Sequence, residues 1–251
     1  MDRSRSELNA RFIELRFAEN GHLMDDNDPD NPEYYTFHLS LDRKPEELLK
    51  SFHNNCIRRA IRKANEEQFE IITGTTHQHL KTFYRLHLLT RKKHGVPIQP
   101  FKFFRNLWNA LTPRDMLTLL LVRLNGSFVA GIILLWYKNT AYYKYGASDP
   151  NFLHLRANQW LMWKAIQLAQ KRGCSTFDFG RASSSERGLV EYKSRWGTQN
   201  SPLDYLRMPM DQKSSLLKEE SRQHIISKNL IRRMPKIGIR LVGEFFYRHF
   251  A

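Results

Sequence analysis

Two short words in the last third of the chain hold the residue types best suited to chemistry: Phe177-Asp178-Phe179-Gly180-Arg181 and Gly188-Leu189-Val190-Glu191-Tyr192-Lys193. The first reads as a buried strand ending in a carboxylate, a glycine and an arginine. A side chain at the carboxyl end of such a strand faces the cleft of an open α/β sheet. Asp178 could there deprotonate or orient an attacking amine. It could equally be structural, satisfied by Arg181 or by a helix N-terminus, and would then stay ionised. Lys193 closes the second word. A fixed ammonium beside a developing oxyanion supplies about 2–4 kcal/mol where water is excluded, and the competing reading is a surface lysine. Tyr192, Arg181, Tyr145 and Trp196 are the expected substrate-binding neighbours, although Trp196 and Tyr145 also suit a core.

The elements that must position these groups follow from periodicity. Segments 11–17 and 34–41 alternate with period two and are expected to be strands. Pro45 opens an expected helix over 45–67, apolar at Leu48, Leu49, Phe52, Cys56, Ala60, Ile61 and Ala64 and basic on its other face. Arg58, Arg59, Arg62 and Lys63 on that face are the candidate phosphate-binding residues, with a solvated helix face as the competing reading. A strand (69–73), two helices (78–94 and 100–111) and three strands (117–124, 128–137, 140–146) come next, the first pair turned at Asn125-Gly126, where positive φ is tolerated. A helix (154–172), a strand (175–180), a helix (185–195) and a strand (199–208) complete the pattern. Residues 20–32 read as a polar loop holding the acidic cluster 25–30.

The chain has 251 residues and a formal charge of +15, which implies an anionic partner: nucleic acid, a nucleotide-linked substrate or an acidic membrane face. Its two cysteines, Cys56 and Cys174, support neither a disulfide framework nor a metal site. The ten histidines lack metal-ligand spacing, so no metal is expected. The longest apolar runs are of strand length and no signal-like segment opens the chain, which reads as cytoplasmic with an optional membrane-peripheral contact. Segment 211–251 is basic and amphipathic, either a helical extension docked on the body or an interfacial helix on an anionic membrane.

The words Phe177-Asp178-Phe179-Gly180, Gly188 to Lys193 and Trp196-Gly197 resemble the C-terminal half of the FemAB-type proteins, including the BioF-like acetyltransferases, whose domain has the GNAT fold. The resemblance implies an α/β fold with a GNAT-like mixed sheet and flanking helices over 67–210, in which strands 140–146 and 175–180 are parallel and splay apart. Residues 1–66 then read as the end of a first GNAT-like domain in an N-terminally truncated tandem. It further implies N-acyl or aminoacyl transfer onto an amine of a cell-envelope or exopolysaccharide precursor, with Lys193 stabilising charge in the aromatic-Lys pair. No tightly bound cofactor is implied. The acyl donor is acyl-CoA or aminoacyl-tRNA. Acetyl-CoA enzymes of this fold cradle the pyrophosphate in a glycine-rich loop, because bare N–H groups must approach it, and segment 148–158 has no glycine. That departure weakens acetyl-CoA and favours tRNA. The rival expectation is a non-catalytic nucleic-acid or anionic-membrane-binding module on the same scaffold, since fold does not fix function.

Overall fold

The computed structural model of the chain describes residues 13–17, 34–208 and 228–249; the expected 20–32 loop and the 211–227 part of the extension fall outside them. In chain order the elements are β1 (Ile13–Phe17), β2 (Tyr34–Ser40), α1 (Pro45–Ser51), a π-helical turn (Asn54–Arg58), α2 (Arg59–Ala64), β3 (Glu70–Gly74), α3 (His77–His94) and α4 (Phe101–Leu111). There follow β4 (Leu117–Leu124), β5 (Ser127–Tyr137), β6 (Thr140–Ser148), a 3-10 turn (Pro150–Leu155), α5 (Ala157–Lys171), β7 (Thr176–Ser183), α6 (Arg187–Ser194) and β8 (Gln199–Met208). Helix α7 (228–233) and α8 (Lys236–His249) close the described chain.

The strands form one eight-stranded sheet in the order β1-β8-β2-β7-β6-β5-β4-β3. Period-two alternation sorts its side chains into two cores. On one face Phe37, Leu39, Leu120, Val122, Ile132, Leu134, Ala141, Phe177 and Phe179 pack against α1, α2, α5 and Trp196. On the other, Leu119, Leu121, Ile133 and Ala147 pack against α3 and α4, with Ile231 and Ile239 of α7 and α8 joining them. The Asn125-Gly126 turn is as expected, with φ of 47° and 78°.

β2 inserts between β7 and β8, and Phe37, Leu39 and Leu48 belong to the same cluster as α5, a long-range pairing that no local pattern encodes. One expectation is corrected: the single helix expected over 45–67 is broken. Phe52 and His53 are extended, with ψ of 148° and 125°. Extension drives Phe52 between Trp163 and Trp196, at centroid distances of 5.6 and 5.2 Å, and lets His53 N–H donate to the Arg195 carbonyl at 2.8 Å. The buried aromatic contact outweighs continuation of the helix.

The parallel pair is as expected. β6 and β7 register at Thr140–Thr176, Ala141–Phe177 and Tyr142–Asp178, and there the ladder stops. Both strands are bulged just beyond. β6 spends Tyr143 to Tyr145 on two consecutive residues of β5, and β7 spends Asp178 to Arg181 on the span His38 to Thr36 of β2. A bulge bends a strand and sharpens its twist, and two bulges at one ladder end part the strands.

Candidate functional site

The β7 bulge is built around Gly180, whose φ of 71° lies where a side chain is strained. Asp178 and Lys193 fasten it from opposite ends. Asp178 Oδ1 accepts from the Gly180 N–H at 2.5 Å. Lys193, at the end of α6, donates its ammonium to the carbonyls of Gly180 at 2.9 Å and Arg181 at 2.7 Å. Its Nζ also lies 5.3 Å from the Phe37 ring centroid, a cation–π contact. Only 6% of Lys193 is exposed. Burial lowers its pKa to about 8, with the charges of Asp178 and Glu186 opposing the fall. Lys193 is thus a buried strut rather than a surface lysine.

Asp178 Oδ2 has a further neighbour that sequence reasoning missed, His38 Nε2 at 3.7 Å. The two residues are register partners on β2 and β7 and so share a sheet face. Their side chains are 32% and 14% exposed. The same Nε2 lies 3.3 Å from Thr36 Oγ1. No signal in the sequence marks His38, one histidine in an alternating strand. Only the placement of β2 beside β7 brings it to the carboxylate.

On the opposite face a pocket of about 490 Å³ is lined by Arg59 and Lys63 of α2, Arg156 and Gln159 at the start of α5, and Tyr192 and Arg195 of the α6 end. Four cations meet there from three elements. Of the expected phosphate-binding residues, Arg59 and Lys63 are in this wall; Arg58 lies half-buried before them and Arg62 is exposed and outside the lining. Helical periodicity explains the division: Arg59 and Lys63 are four residues apart and share a face, whereas Arg58 and Arg62 share the adjacent one. Arg156, preceding α5, has φ of 61°, a backbone conformation usually left to glycine. Arg195 is also paired with Glu191 one turn earlier.

The remaining expected neighbours divide. Tyr192 lines the pocket, and burial pushes its hydroxyl up to about 12. Arg181 is exposed, its guanidinium 5.0 Å from the Tyr34 ring centroid, and its contribution to the bulge is its carbonyl. Trp196 is fully buried against Phe52 and Phe179, a core residue rather than a site wall. Tyr145 sits on the α3/α4 face among His87, Phe103 and Phe104, away from Tyr192. Among the described residues no group of three potential ligands could hold a metal ion.

A mixed sheet whose central parallel pair parts at a bulged register, with helices on both faces, defines a GNAT-type α/β fold, and solved structures agree. FemX superposes over 88% of this chain and 70% of its own with a TM-score of 0.65 at 20% identity. The C-terminal domain of a putative lysylphosphatidylglycerol synthetase from Agrobacterium fabrum does so over 84% and 66%, with a TM-score of 0.52 at 12% identity. Residues 51–194, more than half of the chain, match the acetyltransferase (GNAT) domain family, and the chain belongs to it. Among curated proteins, a lipid II:glycine glycyltransferase of Staphylococcus haemolyticus is 31% identical over 90 residues, 34% of this chain and 22% of its own length. Its Staphylococcus aureus counterpart is 30% identical over 79 residues, 29% and 19% of the two chains. The aligned stretch therefore spans about a fifth of each of these relatives.

Proposed function

We propose that the chain moves an acyl or aminoacyl group from a phosphate-bearing donor onto an amine of a cell-envelope or exopolysaccharide precursor, at the opening where β6 and β7 part. The observation that carries this reading is the arrest of the parallel ladder at Tyr142–Asp178, with a four-cation pocket on one face and a carboxylate–imidazole pair on the other. Membership of the GNAT family favours a donor that binds and leaves over a resident cofactor. Acyl-CoA and aminoacyl-tRNA both carry phosphates that Arg59, Lys63, Arg156 and Arg195 would attract. The acceptor class rests on relatives named for glycine transfer involving lipid II.

In this reading the amine nitrogen attacks the donor carbonyl carbon, and the carbon–sulfur bond of a thioester or the carbon–oxygen bond of an ester breaks. The proton released by nitrogen passes to Asp178, directly or through His38, and on to the leaving sulfur or oxygen. Lys193 is a positioning residue: it fixes the bulge that aims Asp178, and its charge adds to the field at the developing oxyanion.

The test is transfer by the full chain to lipid II from acetyl-CoA and, separately, from glycyl-tRNA. Transfer from one donor is expected, with the donor KM of the Arg59→Gln/Lys63→Gln variant raised about tenfold or more at nearly unchanged kcat. Salt-sensitive binding of tRNA with no turnover from either donor would instead make the chain a non-catalytic binding module. That is the rival that its charge of +15 sustains.

A further inference from the structure

Helix α8 has two apolar edges, one buried and one exposed. Ile239 is fully buried in the α3/α4 core. Gly243 comes so close to the 95–100 loop that an added Cβ would lie 2.0 Å from the Ile98 carbonyl oxygen. The helix is therefore docked, and α7 is tied to the same place by Arg232 Nε donating to the Lys93 carbonyl at 3.2 Å. The opposite edge holds Ile237 and Leu241, one turn apart, which are 71% and 61% exposed. Phe245, the next position on that stripe, and Leu230 on α7 are also exposed. Such an edge is too narrow to span a bilayer, and no described helix is long and apolar enough to do so. It has the form of an interfacial helix.

The charge around the stripe says what covers it. Exposed Arg232 and Arg233 from α7 and Lys236 from α8 flank the apolar positions along the chain, exposed Lys93 closes α3 beside Arg232, Arg240 acts on Tyr84 of α3, and Glu244 is the one acidic residue of α8. Two of these cations, Lys93 and Arg232, converge on one group. His94 is held below its usual pKa first by burial and then by the charges of Lys93, Arg91 and Arg232. A protein partner would have to supply a matching acidic rim with an apolar centre. A bilayer bearing anionic headgroups offers both chemistries over any area, and each juxtamembrane cation strengthens the contact.

We propose that α7 and α8 form a peripheral docking surface for an anionic lipid membrane, with Ile237 and Leu241 entering the headgroup–acyl boundary and Arg233 and Lys236 pairing with lipid phosphates. The proposal does not depend on the catalytic reading.

The test is co-sedimentation of the full chain with vesicles of equal parts phosphatidylglycerol and phosphatidylcholine, against phosphatidylcholine alone. Binding to the anionic vesicles, weakened by salt, is expected. It should fall on the order of tenfold in Ile237→Glu/Leu241→Glu and lose most of its salt dependence in Arg233→Gln/Lys236→Gln. Thermal unfolding should be unchanged in both, because these side chains leave the docked edge intact. The second variant, which alters charge only, decides the matter should the first unfold. Equal binding to both vesicle types, no binding by the folded wild-type chain, or undiminished binding by the folded variants would overturn the proposal. So would a wild-type dimer in light scattering that the stripe variant dissociates without change in vesicle binding, since the stripe would then belong to a second copy.

Discussion

The β4–β5 hairpin and the β6–β7 pair are neighbours in one sheet and are built on opposite rules. In the hairpin, eight registered pairs run from a tight Asn-Gly turn, and Leu119, Leu120, Leu121, Val122, Ile132, Ile133 and Leu134 are buried on both faces. Between β6 and β7, three pairs suffice before both strands bulge, and polar groups gather there: half-buried Asp178 and, through β2, His38, with the buried Lys193 of α6. The hairpin stores stability and offers no free backbone. The pair gives up ladder hydrogen bonds, and the carbonyls so released are claimed by an ammonium. The proposed chemistry lies where the sheet stops pairing, because backbone and charged groups there are no longer committed to a ladder.

The largest effect expected from breaking the contrast lies in the hairpin. Leu121→Ala, at a fully buried position between α3 and the sheet, should cost about 2–5 kcal/mol of stability in urea unfolding, with the geometry of the β7 bulge unaffected. A comparable effect comes from acid. His87, buried on the hairpin side and stacked on Phe83, has its pKa lowered to about 4, first by burial and then by Arg91. The unfolded chain, with an ordinary histidine, takes up its proton near pH 6.5, before the folded one does. Stability is therefore full above pH 6.5 and falls as the pH drops towards 4, by about 3 kcal/mol at most. His87→Phe should flatten urea-unfolding stability over that interval, and an unchanged slope would remove His87 as its cause.

Smaller effects are expected on the open side. Gly180→Ala adds a Cβ at φ of 71° with ample room, so its cost of about 1–2 kcal/mol is backbone strain alone, and circular dichroism melts should show it. Smallest is Asn125→Gly in the hairpin turn. At φ of 47° it should change the melting free energy by less than about 1 kcal/mol, because the added freedom of glycine in the unfolded chain offsets the relief of strain.

How much of this was legible follows the same division. The hairpin was, because Asn125-Gly126 and the apolar runs around it are local signals, and so was the order of elements from β3 to β8. The break at Phe52-His53 was not: the apolar spacing of Leu48, Leu49, Phe52 and Cys56 continues through it, and the contact with Trp163 and Trp196 that imposes the break lies far along the chain. Asp178 stood out by residue type and Lys193 by the family resemblance, but their shared contact at Gly180 was hidden, since a bulge is set by pairing with β2. His38 had no signal at all. The pocket was half visible. Arg59 and Lys63 stood in a basic run, whereas Arg156 and Arg195 arrive from the α5 and α6 ends and only the fold assembles the four.

Lys193 holds the bulge and, in the proposed function, charges the opening, and one measurement addresses that role directly: the rate of acyl transfer by the full chain and by Lys193→Met, each followed from about pH 6 to about pH 9.5. With a folded-state pKa of about 8, the ammonium is present at neutral pH and is lost above it, so the wild-type rate should decline as the pH passes 8. The methionine variant should be about 30- to 1,000-fold slower at pH 7, the range of about 2–4 kcal/mol expected for one preorganised charge, and should lack that decline. A folded Lys193→Met protein that transfers at the wild-type rate with the wild-type pH profile would contradict the account.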